Sequence, residues 1–395
     1  MYKDMRIGID ARKILNPQKN ESIGVGHYTY QLIRHLLEID DENEYVIFFD
    51  ANVRQKDVRK FTRKNVKIVF YPFFDYKKYL PGVYNEILAL AIISREKLDI
   101  LHVTSTEVQI PATYKGKVVL TVHDLGVFKT PKSYRKIARM QAKTTKRLMI
   151  QKASHVIAVS HIIKDDIVNI YNIMSETIDV IYSGLDKRFF AEIKNYNGKN
   201  VPKKFGITKK YILFLGTIEP SKNITRLLHA FSLFKEARIK KNRRELCDYQ
   251  LLIAGKPGWL AGDIKHMVRD LQLARDVKFS GYVIGDELIP IFKNAEFFVL
   301  PSLYEGFGTT ILEAFATGTP AIITNAGSAP EIANNAAKLV NPIDTKEIAQ
   351  AMIEFTNDEE LRDEFRQRGL KRAEDFDWQK TAKKTLEIYK KVMSV

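Results

Sequence analysis

The sequence predicts an α/β chain of two doubly wound parallel-sheet domains, and three observations carry that prediction. Its 395 residues are too many for one ordinary domain and fit two of about 200 each. Short apolar runs alternate with helical patterns, the order of a parallel sheet covered by helices. Twice, at Arg6–Asp10 and again at Tyr211–Leu215, an apolar strand runs into a glycine-bearing loop and then a helix. That is the opening unit of a doubly wound sheet, whose ligand crevice lies at the carboxyl ends of the strands. With 45% hydrophobic and 11% aromatic residues, the chain can bury sizeable cores.

In the first domain, Arg6-Ile-Gly-Ile-Asp10 reads as a strand. The loop Ser22-Ile-Gly-Val-Gly-His-Tyr28 carries Gly24 and Gly26 and leads into the helical pattern Tyr30–Leu37. Tyr45–Phe49, Val66–Phe70, Asp99–Val103 and Val118–Val122 are further strands. The last ends in a polar pair, His123 and Asp124. A histidine at a strand end either caps structure or meets a ligand, and the residues alone leave both open. Phe128 to Lys152 holds nine basic residues and no acid, with Tyr134, Ile137, Ala138, Met140, Leu148 and Met149 giving a helix there an apolar side. Such a helix lies on an anionic membrane surface, or it is a solvated face whose stripe packs on the sheet. Ser154–Ser160 is another strand, with Ser160 placed to cap the next helix.

Polar residues cluster from Lys187 to Lys210, which reads as an interdomain linker centred on 191–210. The second domain repeats the opening logic: the strand Tyr211–Thr217, the loop Ile-Glu-Pro-Ser-Lys-Asn223 and the helix Ile224–Phe234. Gln250–Gly255, Val277–Gly281, Phe297–Leu300 and Thr319–Thr324 continue the strands, and Val340-Asn-Pro342 closes them. Pro330-Glu331 opens a helix, and helical patterns fill 344–395.

The most informative stretch is Pro301–Phe315, where the strand Phe297–Leu300 turns through Gly306 and Gly308 into a helix. Glycines there allow a tight turn and close backbone approach to a ligand. The first free N–H groups of the helix point into the turn, at the positive end of the helix dipole, which favours a phosphate. Glu305 and Glu313, eight positions apart, bracket the loop and can accept hydrogen bonds from sugar or ribose hydroxyls. Together these features suggest a sugar-nucleotide site.

The pattern Glu305-x7-Glu313 inside Pro-Ser-x-x-Glu-Gly-Phe-Gly resembles the signature of the family 4 retaining glycosyltransferases. The resemblance implies the GT-B fold: two Rossmann-like doubly wound domains facing a central cleft, with the C-terminal helix crossing back onto the first. Accordingly 1–190, with a helix at about 377–395, is expected to form the acceptor domain and 211–376 the donor domain. Ile9-Asp-Ala-Arg12 followed by Gly24-Val-Gly-x-Tyr28 resembles the start of bacterial mannosyltransferase-like members. Asp179–Asp186 is similar to the family's closing strand and turn, and Phe376-Asp-Trp378 to its start of the last helix.

The resemblance implies transfer of a hexose, mannose favoured, from a nucleotide-diphosphate sugar to a glycan or lipid-linked acceptor. By the same resemblance Glu305 holds a donor-sugar hydroxyl and Lys222 meets the diphosphate. His123 faces the donor sugar, and Asp124 orients it or holds the loop. Gly24 and Gly26 lie by the phosphates and acceptor, and Gly281 and Tyr282 offer backbone contacts to the nucleobase. Gly216 and Ser221 belong to the phosphate loop; Gly306, Phe307, Gly308, Thr309 and Thr310 surround the leaving group; Glu313 takes the ribose. Two departures stand out: Ser221 and Thr217 occupy places where relatives often carry Arg. Either neutralisation of the phosphate is weaker here, or Arg226 or another residue compensates.

The net charge of +16 fits nucleic acid, an anionic membrane surface or a generally Lys-rich composition. Nucleic acid ranks last, because only Tyr134 interleaves aromatics with the basic segment. The contact expected through 129–152 is with an anionic membrane. A single cysteine, Cys247, eight scattered His and the pair Asp165-Asp166 on a helix surface make no metal cluster. No cofactor or metal is expected, Lys222 and helix dipoles standing in for a divalent ion. The longest apolar run, Ile87–Ile93, is far below the roughly 20 residues of a membrane span. The start, Met-Tyr-Lys-Asp-Met-Arg, has no secretory pattern, so a cytoplasmic, membrane-associated protein is expected. The competing readings are a UDP-glucose or UDP-GlcNAc-dependent transferase on the same fold and a non-catalytic scaffold.

Overall fold

The structure is a computed structural model that describes residues 4–14, 24–71, 84–191, 200–240, 249–258, 261–283 and 285–394. Two compact units emerge. The first takes residues 1–125, 136–184 and 377–395, and the second takes 126–135 and 185–376. Residues 192–199 of the expected linker lie outside the described residues, and Val201–Lys204 forms one helical turn.

In the first unit the chain runs β1 (Arg6–Asp10), α1 (Val25–Ile39), β2 (Glu44–Asp50), β3 (Val66–Tyr71), α2 (Leu90–Arg95), β4 (Ile100–Val103) and β5 (Lys117–Val122). It continues through α3 (Lys136–Lys152), β6 (His155–Ala158), α4 (His161–Tyr171) and β7 (Ile178–Val180). The seven strands pair in the order β3-β2-β1-β4-β5-β6-β7, all parallel. Central strands buried on both faces read as near-continuous apolar runs rather than alternating ones, as Val118–Val122 does but for Thr121. Ser160 caps α4 as expected, its Oγ accepting from the Ile163 N–H at 3.2 Å, and Asn172 ends the helix in the left-handed region.

The second unit holds β8 (Lys210–Leu215), α5 (Ile224–Lys240), β9 (Tyr249–Ala254), α6 (Ala261–Asp270), β10 (Val277–Gly281), α7 (Leu288–Lys293) and β11 (Phe297–Leu300). After these come α8 (Thr309–Ala316), β12 (Ala321–Thr324), α9 (Ala329–Ala333), β13 (Lys338–Val340), α10 (Thr345–Asn357) and α11 (Glu359–Ala373). Its six parallel strands lie in the order β10-β9-β8-β11-β12-β13. Strand order reverses between β1 and β4 in one sheet and between β8 and β11 in the other. At such a point the connections lead off in opposite directions and leave a crevice at the strand ends.

Two expectations need correction. The basic segment 128–152 is not one helix. Gly126–Lys129 and the 3₁₀ turn Pro131–Ser133 precede α3, because proline lacks the N–H that would continue the first helix. Asp166, expected on a helix surface beside Asp165, is buried.

The last helix, α12 (Trp378–Ser394), returns to the first unit, as the GT-B pattern implies. Its Trp378, Ala382, Ile388 and Tyr389 join a core with Tyr28, Leu32, Ile33 and Leu36 of α1. Gly184 admits this helix closely, since a Cβ there would lie 2.3 Å from the Trp378 nitrogen. Polar ties fix the docking: Thr381 donates to the Tyr182 carbonyl at 2.8 Å and Lys117 to the Val392 carbonyl at 2.8 Å. At the centre, fully buried His102 bonds Tyr389 through Nδ1 at 2.6 Å and Thr121 through Nε2 at 2.8 Å. Burial pushes its pKa down to about 3, so the ring is neutral. Tyr389→Phe orphans the buried Nδ1 and is expected to cost about 1–3 kcal/mol. A lowered denaturation midpoint of the first unit is the expected result, and an unchanged one removes this tie from the fold.

Candidate active site

The second unit assembles charged groups at its point of strand reversal. From β8 the chain passes Gly216 and Thr217 into the 3₁₀ turn Pro220–Lys222, and from β11 it passes Pro301 into Glu305. Lys222 Nζ meets Glu305 Oε1 at 2.7 Å, with Glu305 buried and Lys222 partly open. Five hydrogen bonds to main-chain carbonyls hold these loops in place. The Leu303 N–H donates to the Ser221 carbonyl at 2.8 Å. Asn223, in the left-handed region, donates its amide to the carbonyls of Pro301 at 2.9 Å and Pro342 at 2.6 Å. The Glu305 carbonyl accepts from the Ser328 N–H at 2.9 Å and Oγ at 3.1 Å. Gly327 lies so close that a Cβ on it would stand 2.5 Å from the Glu305 oxygen.

Gly308, at φ 83°, is the residue before α8, and the free N–H groups of Thr309 and Thr310 begin the helix there. Gly306 takes no positive φ, so of the two expected turn glycines only Gly308 uses the left-handed conformation. Phe307 is buried and packs edge-on to Phe376, with ring centroids 6.0 Å apart. Glu313 sits in the second turn of α8. Burial raises its pKa to about 7, with Arg188 opposing the rise and Asp186 adding to it. Asp186 and Arg188 are themselves 3.5 Å apart. A rim of strand ends completes the unit: the Gly216 N–H donates to the Ala254 carbonyl at 2.9 Å and the Gly255 N–H to the Gly281 carbonyl at 2.8 Å. Tyr282 next to it is exposed, with Lys256 Nζ 4.8 Å from its ring centre. Ser221 Oγ donates to Glu219 at 2.6 Å, and Arg226 donates to Asn223 Oδ1 at 2.9 Å. Arg226 therefore buttresses the loop through Asn223.

The first unit gathers its own group at the ends of β4 and β5. His123 Nε2 lies 2.9 Å from the Thr104 carbonyl, and that oxygen can only accept, so Nε2 carries the proton. Burial pushes the His123 pKa down to about 4, leaving a neutral ring whose Nδ1 is an acceptor. Tyr28 of α1 packs its edge on His123 at 4.5 Å. Gly24, at φ 55° and exposed, starts α1, and Gly26 is buried in its first turn. Thr104 bonds Thr29 at 2.7 Å and the Asp10 carbonyl at 3.1 Å, tying β4, α1 and β1 together. Lys146 of α3 donates to the Asp124 carbonyl at 2.6 Å and to Thr106 at 3.2 Å. Burial lowers the pKa of Lys146, with Asp124 and Glu107 opposing the fall. Among the described residues no three His, Cys, Asp or Glu side chains gather where a metal ion could sit, and no helix is long and apolar enough to cross a membrane.

Two parallel-sheet units, each with charged or polar side chains at its strand reversal, define a two-domain α/β scaffold of the GT-B class. Residues 23–189 match the family described as Glycosyltransferase Family 4, and residues 199–372 match Glycosyl transferases group 1. The chain belongs to the family 4 glycosyltransferases. It is 27% identical over 278 residues to the O-antigen chain mannosyltransferase B of Escherichia coli, covering 69% of this chain and 70% of that protein. With the O-antigen chain mannosyltransferase RfbU of Salmonella typhimurium it shares 32% identity over 228 residues, 58% of this chain and 57% of the relative. In fold it is similar to Anabaena HepE, solved in complex with UDP-glucose, at a TM-score of 0.71 and 16% identity over 98% of this chain and 100% of that one.

The sequence singles out Glu305, Lys222, Ser221 and Glu313 in the second unit but gives no site role to Asp186, at the end of the Asp179–Asp186 turn, or to Arg188, Gly327 and Ser328. In the first unit it missed Tyr28, Thr104 and Lys146 as neighbours of His123 and Asp124. Two tests follow from this geometry. Gly327→Ala meets the Glu305 backbone and also strains φ 63°, the latter alone by about 1–2 kcal/mol. A lowered unfolding midpoint is expected, and full stability removes Gly327 from the support of Glu305. Glu313, raised from 4.5 to about 7, stabilises the fold when protonated, fully below pH 4.5 and no longer once the pH passes 7. Glu313→Gln stays neutral, so its stability should match wild type in acid and exceed it by roughly 1–3 kcal/mol at about pH 8. Equal stability at both pH values overturns the buried-acid assignment.

Proposed function

We propose that this protein transfers a hexose, mannose in the first instance, from a nucleotide-diphosphate sugar to a glycan or lipid-linked acceptor, with retention at the anomeric carbon. The observation that carries the reading is the Lys222–Glu305 contact of 2.7 Å, held beside the N-terminal end of α8. Breaking the donor bond builds negative charge on the leaving phosphate and positive charge on the sugar ring. A cation and a carboxylate side by side match those two charges at adjacent atoms, and fixed groups of this kind need no reorganisation as the charges develop. Lys222 and the N–H groups of Thr309 and Thr310 would receive the phosphate, with no resident metal among the parts of this reading. Glu305 would accept from a donor-sugar hydroxyl and favour an oxocarbenium-like ring. Neutral His123, with Nδ1 as acceptor, would take a sugar hydroxyl in the first unit, beside Asp124, Gly24 and Gly26. Glu313 would hold the ribose, and Gly216, Ser221, Gly281 and Tyr282 would line the nucleotide's path. A same-face attack assisted by the leaving phosphate fits this set better than a covalent glycosyl-enzyme, since Glu305 is already engaged by Lys222.

Mannose is favoured because relatives at 27% and 32% identity are named as mannosyltransferases of the O-antigen chain. The similar HepE, solved with UDP-glucose, supports a second reading in which the donor is a UDP-hexose. Thermal shift and donor hydrolysis across a panel of nucleotide sugars, GDP-mannose and UDP-glucose included, separate the two. Stabilisation by GDP-mannose is expected, and silence across the panel overturns the enzyme reading in favour of a scaffold. Lys222→Ala should weaken donor binding by about 10–100-fold, the worth of one charge-assisted hydrogen bond. Glu305→Ala should abolish transfer in a folded protein, and full activity there removes Glu305 from catalysis.

A further inference from the structure

Helix α11 and the loop Asn334–Ala337 line a cavity of about 630 Å³ that belongs to the second unit alone. The loop enters β13 at its amino end, whereas Lys222 and Glu305 follow the carboxyl ends of β8 and β11. In a parallel sheet those are opposite edges, so the cavity is separate from the site described above. Arg368, Lys371 and Arg372 line it from one face of α11, at positions i, i+3 and i+4. Like charges at this spacing repel, and the cluster is unfavourable until an anion meets it. Glu364 pairs with Arg368 and Asp375 with Arg372, but these acids are 51% and 61% exposed, and such surface pairs contribute little. Arg372 is also held from behind. Its Nε donates to the Ile332 carbonyl at 2.9 Å and its Nη2 to the Glu331 carbonyl at 3.1 Å, closing the last turn of α9. Its Nη1 turns to Asp375 at 2.8 Å.

We propose that this cavity is a second ligand site, which binds the phosphate of a small sugar phosphate. The phosphate takes Nη1 of Arg372 from the exposed Asp375 and leaves the ties to α9 intact, so the guanidinium is aimed before the ligand arrives. Arg368 and Lys371 complete the anion's shell. Across the cavity, Asn334 and Asn335 bring amides that both donate and accept, the chemistry that sugar hydroxyls require. The volume suits a small ligand rather than a polymer. Occupancy also reaches the donor loop. The Arg372 guanidinium lies 4.7 Å from the ring centre of Phe376, which packs on Phe307 beside Glu305. The α9 turn that Arg372 closes begins after Ser328, which holds the Glu305 carbonyl. A bound phosphate thus steadies two supports of Glu305 and favours donor binding, a step that rests on the glycosyltransferase reading above.

The test is calorimetric titration of the full chain, without donor, with glucose 6-phosphate, inorganic phosphate and glucose. Glucose 6-phosphate is expected to bind more tightly than phosphate, and glucose not at all. The double variant Arg368→Ser, Lys371→Ser changes two exposed side chains, so it should keep its unfolding midpoint and lose glucose 6-phosphate affinity by about tenfold or more. Asp375→Asn removes the competing carboxylate and should bind more tightly than wild type. Lys222→Ala should bind as wild type does, since its cation lies in the other site. No binding by the wild type, undiminished binding by the double variant, or loss of binding in Lys222→Ala overturns the proposal. Equal affinity for inorganic phosphate overturns the part given to the two asparagines. Saturating glucose 6-phosphate should then tighten GDP-mannose binding by about fivefold or more in the wild type and not in the double variant. An unchanged donor affinity overturns the coupling. Absence of donor binding beside intact phosphate binding overturns the proposed activity and leaves this site standing.

Discussion

The reversal of strand order between β8 and β11 is the constraint on which the second unit's chemistry depends. These two strands are neighbours, yet their connections lead to β9 on one side and β12 on the other. The loops leaving them must separate, and the space between is where Lys222 and Glu305 meet. Holding a lysine and a carboxylate there, partly out of water, is costly unless both are paired. The protein meets that cost with backbone rather than with more charge. Asn223 reaches two carbonyls, Leu303 bonds Ser221, and Ser328 grips the carbonyl of Glu305 itself. Gly327 is required because any side chain there would collide with the Glu305 backbone. The carboxylate is therefore positioned by its own main chain, which leaves its side chain to choose between Lys222 and a ligand.

The first unit solves a related problem with neutral groups. His102 sits within β4 and His123 just past the carboxyl end of the neighbouring β5, and burial keeps both uncharged. His102 lies inside, between Thr121 and Tyr389, and serves to anchor the returning helix α12. His123, at the strand end, donates to the Thr104 carbonyl through Nε2 and keeps Nδ1 as an acceptor. One strand apart, the same residue type is structural in one place and suited to a ligand in the other. Depth along the strand decides which.

Much of the fold was legible because both sheets are buried on both faces. Strands such as Val118–Val122, Leu251–Ala254 and Phe297–Leu300 are near-continuous apolar runs between turn residues, and that pattern has few other readings. Ser160 was legible as a cap because its role is local. The site was legible only where one loop carries it. Glu305, Gly308 and Glu313 share a single turn and helix, but the partnership of Glu305 with Lys222 spans 83 positions and belongs to the sheet order. Asp186 and Arg188 reach Glu313 from a segment whose composition says nothing of it. The basic segment shows the opposite limit. Periodicity finds an apolar side, but which way that side faces depends on what Lys146, Met149 and Ile150 hold inward.

The departure at 221 now has a physical meaning. Where relatives often carry arginine, Ser221 turns its hydroxyl to Glu219 and offers its carbonyl to Leu303. Arg226, the nearest candidate to replace the lost charge, donates to Asn223 and so steadies the loop from behind. Neutralisation of a leaving diphosphate in this unit would then rest on Lys222 and on main-chain dipoles at the start of α8. A lysine acts as a point charge without the fixed fork of an arginine, so its position must come from elsewhere. Glu305 supplies it: the carboxylate that would face the sugar also aims the ammonium that would face the phosphate. Loss of either member therefore disturbs both halves of the charge separation, and the two residues are best regarded as one electrostatic device.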